Sequence, residues 1–133
     1  MSRSGYVDDC EHLNLYSASV DRAIAGRRGQ AFLRELAEAM EAMPERVLIA
    51  EELIDAEGDC CTIGVVCKSR GLSVSGVDQE CPDSVGNLVG IASSMAAEIE
   101  FLNDEAGPNC ETPAARWIRV RRWVEQKLSE VPS

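Results

Sequence analysis

The sequence predicts an all-α fold, a compact single-domain bundle of five to seven helices, and three observations lead to this prediction. The 133 residues are 45% hydrophobic and 27% charged, which is typical of one globular domain with one core. Apolar residues recur at helical spacing, most clearly over Gln30–Met43. Gly and Pro separate such segments, and no second segment has a convincing strand pattern. We therefore expect one helical domain over residues 1–133, with residues 1–12 as a flexible tail.

Two helices are predicted in the N-terminal third. The first runs to Gly26, and Ser17 or Ser19 can cap it. Residues 26–29 form a turn, and the second helix spans Gln30–Met43 before Pro44 ends it. The apolar residues of each helix share one face: Val20, Ala23 and Ile24 in the first, and Phe32, Leu33, Leu36, Met40 and Met43 in the second.

The middle of the chain gives weaker signals. Residues 45–56 fit either a helix or a strand, because the first half resembles a short strand and the second half a helix; we predict a helix. Asp59 is expected to cap a helix over Cys60–Arg70, with Gly71 directly after its end. Residues 72–80 read as a loop.

The C-terminal half contains the clearest helix boundaries. Pro82–Glu105 is predicted to form two helices that break near Gly90, and residues 107–109 are a clear stop. The last helix spans Thr112–Leu128, because Thr caps free backbone N–H groups and proline favours the first helical position.

Charge and segment length limit the partners. The net charge is −10 at pH 7, and an acidic surface repels phosphate, so direct binding of nucleic acid is disfavoured. No apolar stretch approaches the length of a membrane span, and the N-terminus lacks the apolar region of a signal peptide. We expect a cytoplasmic protein that does not associate with membranes.

The cysteines do not form a recognisable metal site. There are six, none in a Cys-x-x-Cys pair, and the lone histidine, His12, has only Cys10 nearby. Reduced thiols that act as small buried hydrophobes explain them better. No metal and no cofactor are expected.

One block resembles a known family. Residues 22–36, RAIAGRRGQAFLREL, resemble a family of small uncharacterised bacterial proteins, some of them carried by phages or prophages. The resemblance implies a bacterial or mobile-element context and no specific activity. It extends over most of the chain through Pro44-Glu45, Leu48-Ile49, Asn103-Asp104-Glu105, Glu111-Thr112-Pro113, Arg116, Trp117, Trp123 and Val124.

Residues 84–103 fit the spacing of a helix-turn-helix with its turn at Gly90. The positions that such a motif buries are Val85, Val89, Ile91, Ala96 and Ile99. The positions toward the major groove would be Ala92, Ser93, Ser94, Ala97 and Glu98, followed by Glu100. Recognition helices carry Arg, Lys, Asn or Gln at these positions, so ordinary helix packing is the favoured interpretation.

Two surfaces are candidates for binding a partner. On the last helix, a core stripe of Trp117, Val120, Val124 and Leu128 lies beside a cationic face that consists of Arg116, Arg119, Trp123 and Lys127, with Arg122 at its edge. This face either binds a protein or a second copy of the chain, or its arginines pair with the protein's own glutamates while Trp123 covers an edge of the core. The second surface is acidic and includes Glu35, Glu38, Glu41 and Glu45. Such carboxylates either form a solvated helix face or imitate a phosphate backbone.

No catalytic motif is present: the sequence has no Gly-x-Ser-x-Gly elbow, no His-Glu-x-x-His pair and no phosphate-binding loop. We therefore predict a non-catalytic acidic protein-interaction domain, most concretely a phage-encoded inhibitor of a host nucleic-acid-handling or defence protein. Its partner would be a host or phage protein, and a homodimer stays open. The alternatives are a helix-turn-helix transcriptional regulator that uses residues 84–103, and an enzyme without a visible motif.

Overall fold

A computed structural model describes residues 10–128 of the chain, with side chains from Ala18 onward. This part of the chain contains six α-helices and no strand, which confirms the all-α prediction. The helices are α1 (Cys10–Ala25), α2 (Arg27–Glu41), α3 (Thr62–Arg70), α4 (Pro82–Val89), α5 (Ser93–Asp104) and α6 (Pro113–Lys127).

Helix α5 lies at the centre of the bundle. It packs against α1, α3, α4 and α6, while α2 covers α1, α3 and α6 from the other side. None of the twelve residues of α5 is exposed. The core that these helices share contains the fully buried side chains Leu33, Leu36, Met40, Leu48, Leu53, Ile63, Val66, Val85, Met95, Ile99 and Val120.

The first helix begins earlier than predicted. Helix α1 starts at Cys10, so it includes residues 10–12 of the predicted tail, and neither Ser17 nor Ser19 is its cap. Its buried side matches the prediction, since Val20 and Ile24 lie in the core and Ala23 packs against it. Residues 1–9 of the predicted tail lie outside the described residues.

The predicted turn over residues 26–29 is reduced to one residue. Gly26 is the N-cap of α2, and residues 27–29 already belong to its first turn. The reason is a close crossing of α1 and α2: a Cβ atom on Gly29 would overlap the carbonyl oxygen of Ala23. Four of the five predicted apolar residues of α2 are buried, and the helix ends at Glu41 rather than Met43.

The helix predicted over residues 45–56 is wrong. This segment is irregular, and its backbone pairs with the residues that precede α3: Ile49 N–H donates to Cys60 O (2.9 Å) and Cys61 N–H donates to Leu53 O (3.0 Å). Leu48 and Leu53 are both completely buried. Five residues apart on a helix, they would point about 140° away from each other. An irregular path allows both side chains to enter the core.

The cap predicted for α3 is also wrong. Helix α3 begins at Thr62, its N-cap is Cys61, and Asp59 belongs to the preceding turn, where its N–H donates to Asp55 Oδ1 (2.9 Å). Burial of all residues from Cys60 to Cys67 outweighs the low helix propensity of the β-branched residues in this segment.

The boundaries of the remaining elements are confirmed. Gly71 and Gly90 adopt left-handed backbone conformations (φ 70° and 82°) after α3 and α4, and residues 72–80 form a loop. Thr112 caps α6 by accepting a hydrogen bond from Ala115 N–H (3.1 Å). No single helix in the described residues has the length and apolarity to cross a membrane. Helices α4 and α5 meet that test only as a pair, which is bent by 104°.

Candidate protein-contact surface on the last helix

One side of α6 anchors the helix in the core. Trp117, Val120 and Val124 are at most 5% exposed, and Leu128, directly after the helix, packs against the same cluster. The guanidinium of Arg46 lies 4.8 Å from the centroid of the Trp117 ring. The stripe predicted from the sequence is therefore confirmed as the core side of α6.

Two arginines of the predicted cationic face stabilise the fold. Arg119 forms a two-pronged ion pair with Glu111 (2.6 and 2.9 Å) and donates to the carbonyl oxygen of Leu102 (2.6 Å). Arg116 donates to the carbonyl oxygens of Asn103 (3.0 Å) and Leu48 (2.9 Å). These contacts tie α6 to the end of α5 and to the irregular segment.

Glu111 is the anion that holds this network together. Its side chain is 5% exposed, and hydrogen bonding to the Arg119 guanidinium keeps the pKa of this carboxyl below its usual range, although burial alone would raise it. Because Arg116 and Arg119 have partners inside the domain, they have little capacity left for an external anion.

The other predicted residues of this face point outward. Arg122 and Lys127 are exposed, and neither side chain has a hydrogen bond or ion pair within residues 18–128. Trp123 is half-buried and packs against the core. The structure thus separates the predicted face into a structural part and an accessible part.

A shallow groove of about 600 Å³ lies on the accessible part. Ile118 lines it and is, of the large hydrophobic side chains that the structure describes, the one that is exposed, at 50%. The other lining residues are Leu102, Ala106, Ala115, Arg119, Arg122, Trp123 and Gln126.

Sequence reasoning missed Ile118, although a signal was present. Ala115, Ile118 and Arg122 are spaced by three and four residues and lie on the side of α6 opposite the core stripe. A second stripe that contains an isoleucine is unusual for a solvated helix face. It would have extended the predicted surface around the helix.

The predicted acidic surface is partly neutralised by the protein itself. Glu35 forms a two-pronged ion pair with Arg70 (2.6 and 2.7 Å), which lowers the pKa of the Glu35 carboxyl. Glu41 pairs with both Arg46 (2.8 Å) and Arg121 (3.0 Å). The other two predicted glutamates, Glu38 and Glu45, are exposed. Because two of these four glutamates are paired with arginines, the acidic surface resembles a phosphate backbone less than the sequence predicted.

The helix-turn-helix spacing is present, but part of the face that its second helix would turn toward DNA is buried. All five positions predicted to be buried are buried. However, Ala97 and Glu100, which would face or adjoin the major groove, are 0% and 1% exposed. The other predicted positions, Ala92, Ser93, Ser94 and Glu98, are half-buried, so α5 presents no fully exposed face to the edges of bases. The spacing reflects ordinary helix packing in this bundle.

An acidic turn brings three carboxylates together. Oxygen atoms of Asp55, Glu57 and Asp59 lie within 4.8 Å of one another. Asp55 Oδ1 accepts the backbone N–H groups of both Glu57 and Asp59 (2.9 Å each), so this carboxylate organises the turn. The turn borders a cavity of about 590 Å³ below the end of α2.

Three of the cysteines act as buried hydrophobes, as predicted. Cys60, Cys61 and Cys67 are buried, whereas Cys81 is half-buried and Cys110 is exposed. Burial raises the pKa of the Cys67 thiol to about 11 and also raises that of Cys60. Cys60 and Cys67 are therefore poorly suited to nucleophilic chemistry.

No protein-family model, curated protein or solved structure matches this chain. The resemblance of residues 22–36 to phage and prophage proteins, and the inhibitor role suggested for such a protein, therefore stay predictions.

Proposed function

We propose that this chain is a non-catalytic protein-interaction domain whose contact surface is the outward face of α6, formed by Ile118, Arg122 and Trp123. The observation that carries this proposal is the exposed Ile118 beside a half-buried tryptophan in one groove. Trp and Arg are the residues most enriched among those that dominate binding energy at protein interfaces. A partner that covers the groove removes its apolar side chains from water, which favours binding.

The residues of α6 that would contact a partner are different from those that anchor the helix in the core. The core stripe of Trp117, Val120 and Val124 lies on one side, and Ile118 and Arg122 lie on the other. Covering the exposed half of Ile118 contributes about 1 kcal/mol to binding, since full burial of such a side chain is worth about 1.5–3 kcal/mol. Substitutions on the outward face can therefore change binding while the bundle stays folded.

Affinity capture with matched variants tests the proposal. Immobilised wild-type protein, Ile118→Asp and Arg122→Glu are each incubated with nuclease-treated bacterial lysate, and the retained proteins are quantified by mass spectrometry. The controls are Ala31→Asp and Arg28→Glu, at exposed positions on α2. Circular dichroism verifies that every variant is folded.

We expect a stoichiometric partner that wild type and both α2 controls retain and that both α6 variants lose. Retention of the same proteins by Ile118→Asp would contradict the proposal. Equal loss with the α2 controls would also contradict it, because the effect would then follow overall charge rather than the α6 face.

A further inference from the structure

We infer that the occupant of the α6 groove is an acidic amphipathic helix of a partner protein. Its apolar side chains would contact Ile118 and Trp123, and its carboxylates would approach Arg122. This inference rests on the proposed function and specifies the chemistry of the partner.

The dimensions of the groove fit one short helix. Its α6 wall extends from Ala115 to Gln126, which corresponds to about 16 Å, or three helical turns. Along this wall the small side chain of Ala115 lies near one end and the aromatic side chain of Trp123 near the other. An amphipathic helix that lays apolar anchors at positions i, i+3, i+4 and i+7 into such a groove is a common recognition mode.

The charge of the groove favours a partner of opposite charge. The charged groups that line it are two guanidiniums, and no carboxylate does so among the described residues. Arg119 is already paired with Glu111, whereas Arg122 is exposed and unpaired within the described residues. Three of the five basic residues of α6 pair inside the domain, so the exposed cations of this helix are Arg122 and Lys127, and its one glutamate, Glu125, is exposed as well. Within the groove, Arg122 is therefore the group that attracts carboxylates, in a chain whose net charge of −10 otherwise repels them.

The same charges argue against a second copy of this chain as the occupant. A symmetric contact between two α6 faces would bring the unpaired Arg122 side chains toward each other. A partner helix that carries carboxylates places an anion opposite Arg122 instead.

Fluorescence anisotropy with designed peptides tests the inference on the full chain. The acidic probe is a labelled helical peptide of about four turns, with leucine at i, i+3, i+4 and i+7 and glutamate on the flanking positions. The basic probe replaces each glutamate by lysine, and a third probe keeps the acidic composition but scrambles the leucine positions. Each is titrated with wild type, Ile118→Asp, Arg122→Glu and the control Arg28→Glu.

We expect the acidic probe to bind wild type at least about 10-fold more tightly than the other two probes. The preference should weaken between about 0.05 and about 0.5 M salt, because the shorter Debye length screens Arg122. Arg122→Glu should reverse the preference between the acidic and basic probes, Ile118→Asp should abolish binding, and Arg28→Glu should behave as wild type. Equal binding of both charge types, or no effect of Arg122→Glu, would overturn the inference.

Two outcomes separate this inference from the proposed function. If a cellular partner depends on Ile118 but the acidic probe does not bind, the contact surface stands and the acidic-helix inference falls. If light scattering shows a dimer that Ile118→Asp dissociates, the occupant is a second copy and the inference also falls. Failure of both the capture and the peptide experiments would remove both proposals.

Discussion

Replacing Asn103 by alanine should destabilise the domain strongly, because this one buried side chain joins three parts of the fold. Asn103 lies in the last turn of α5 and is 1% exposed. Its Oδ1 accepts from both the backbone N–H (3.1 Å) and the hydroxyl (2.7 Å) of Thr62, and its Nδ2 donates to Ile49 O (2.9 Å). The side chain therefore caps α3 and fastens the irregular segment to α5.

The magnitude follows from these three bonds. Each intramolecular hydrogen bond contributes about 0.5–1.5 kcal/mol net, and each buried group left without a partner costs about 1–3 kcal/mol. Alanine removes these three bonds and a fourth, from Nδ2 to Asp104 Oδ1 (2.8 Å), and leaves the N–H of Thr62 and the carbonyl of Ile49 without this partner. We expect a loss of about 3–5 kcal/mol in the free energy of unfolding, a large part of the 5–15 kcal/mol of a typical domain.

Urea denaturation followed by circular dichroism measures this loss. The matched control is Asn87→Ala, an exposed asparagine in α4, which should change stability by no more than about 0.5 kcal/mol. A double-mutant cycle of Asn103→Ala with Thr62→Val isolates the side-chain pair, and we expect a coupling energy of about 1 kcal/mol. If Asn103→Ala costs less than about 1 kcal/mol more than the control, the proposed role of Asn103 is wrong. Thr62→Val alone, with an expected loss of about 1 kcal/mol, keeps the test informative if Asn103→Ala fails to fold.

Three further predictions concern packing, ionisation and thiol reactivity. Gly64→Ala should lose about 3 kcal/mol or fail to fold, because the new Cβ overlaps the carbonyl oxygen of Leu53; urea denaturation that shows a loss below about 1 kcal/mol would contradict this. Glu111→Gln should be less stable than wild type at neutral pH. Since the folded-state pKa of Glu111 is lowered, its stabilisation is present above the unfolded pKa of about 4.3 and lost as pH falls through the folded value, so the difference should shrink in acid. Alkylation followed by peptide mass spectrometry should label exposed Cys110 rapidly and Cys67 only on unfolding, because burial protects the latter and raises its pKa to about 11; equal rates in the folded protein would contradict this.

The sequence correctly predicted the helices whose apolar spacing or capping residues lie within the helix itself or next to it. The apolar spacing of α2 and the Thr-Pro start of α6 depend on neighbouring residues in the chain, so both elements were predicted within a few residues. The segment over residues 45–56 was predicted wrongly because its partners are distant in sequence. Its backbone bonds reach the residues before α3, and Leu48 N–H reaches Pro113 O (3.1 Å).

On the candidate surface, too, the sequence predicted what depends on neighbouring residues and missed what depends on distant ones. The sequence identified Arg122, Trp123 and Lys127 because charge and aromatic spacing along one helix are local properties. It did not separate them from Arg116 and Arg119, whose partners, apart from Glu111, are main-chain carbonyls of other elements. Every residue has the same main-chain carbonyl group, so the residue types do not predict which arginine will bind to it.

By itself, therefore, the sequence determined the all-α class, the position of the helix breaks at Gly71 and Gly90, and the apolar side of each long helix. These depend on backbone conformational preference and on periodicity within one segment. Only the tertiary structure decided which charges stay accessible, that no residue of α5 is fully exposed, and that Asn103 accepts a hydrogen bond from the first residue of a helix 41 residues away. Those outcomes depend on how the helices pack against one another, because burial and long-range hydrogen bonding exist only once the chain has folded.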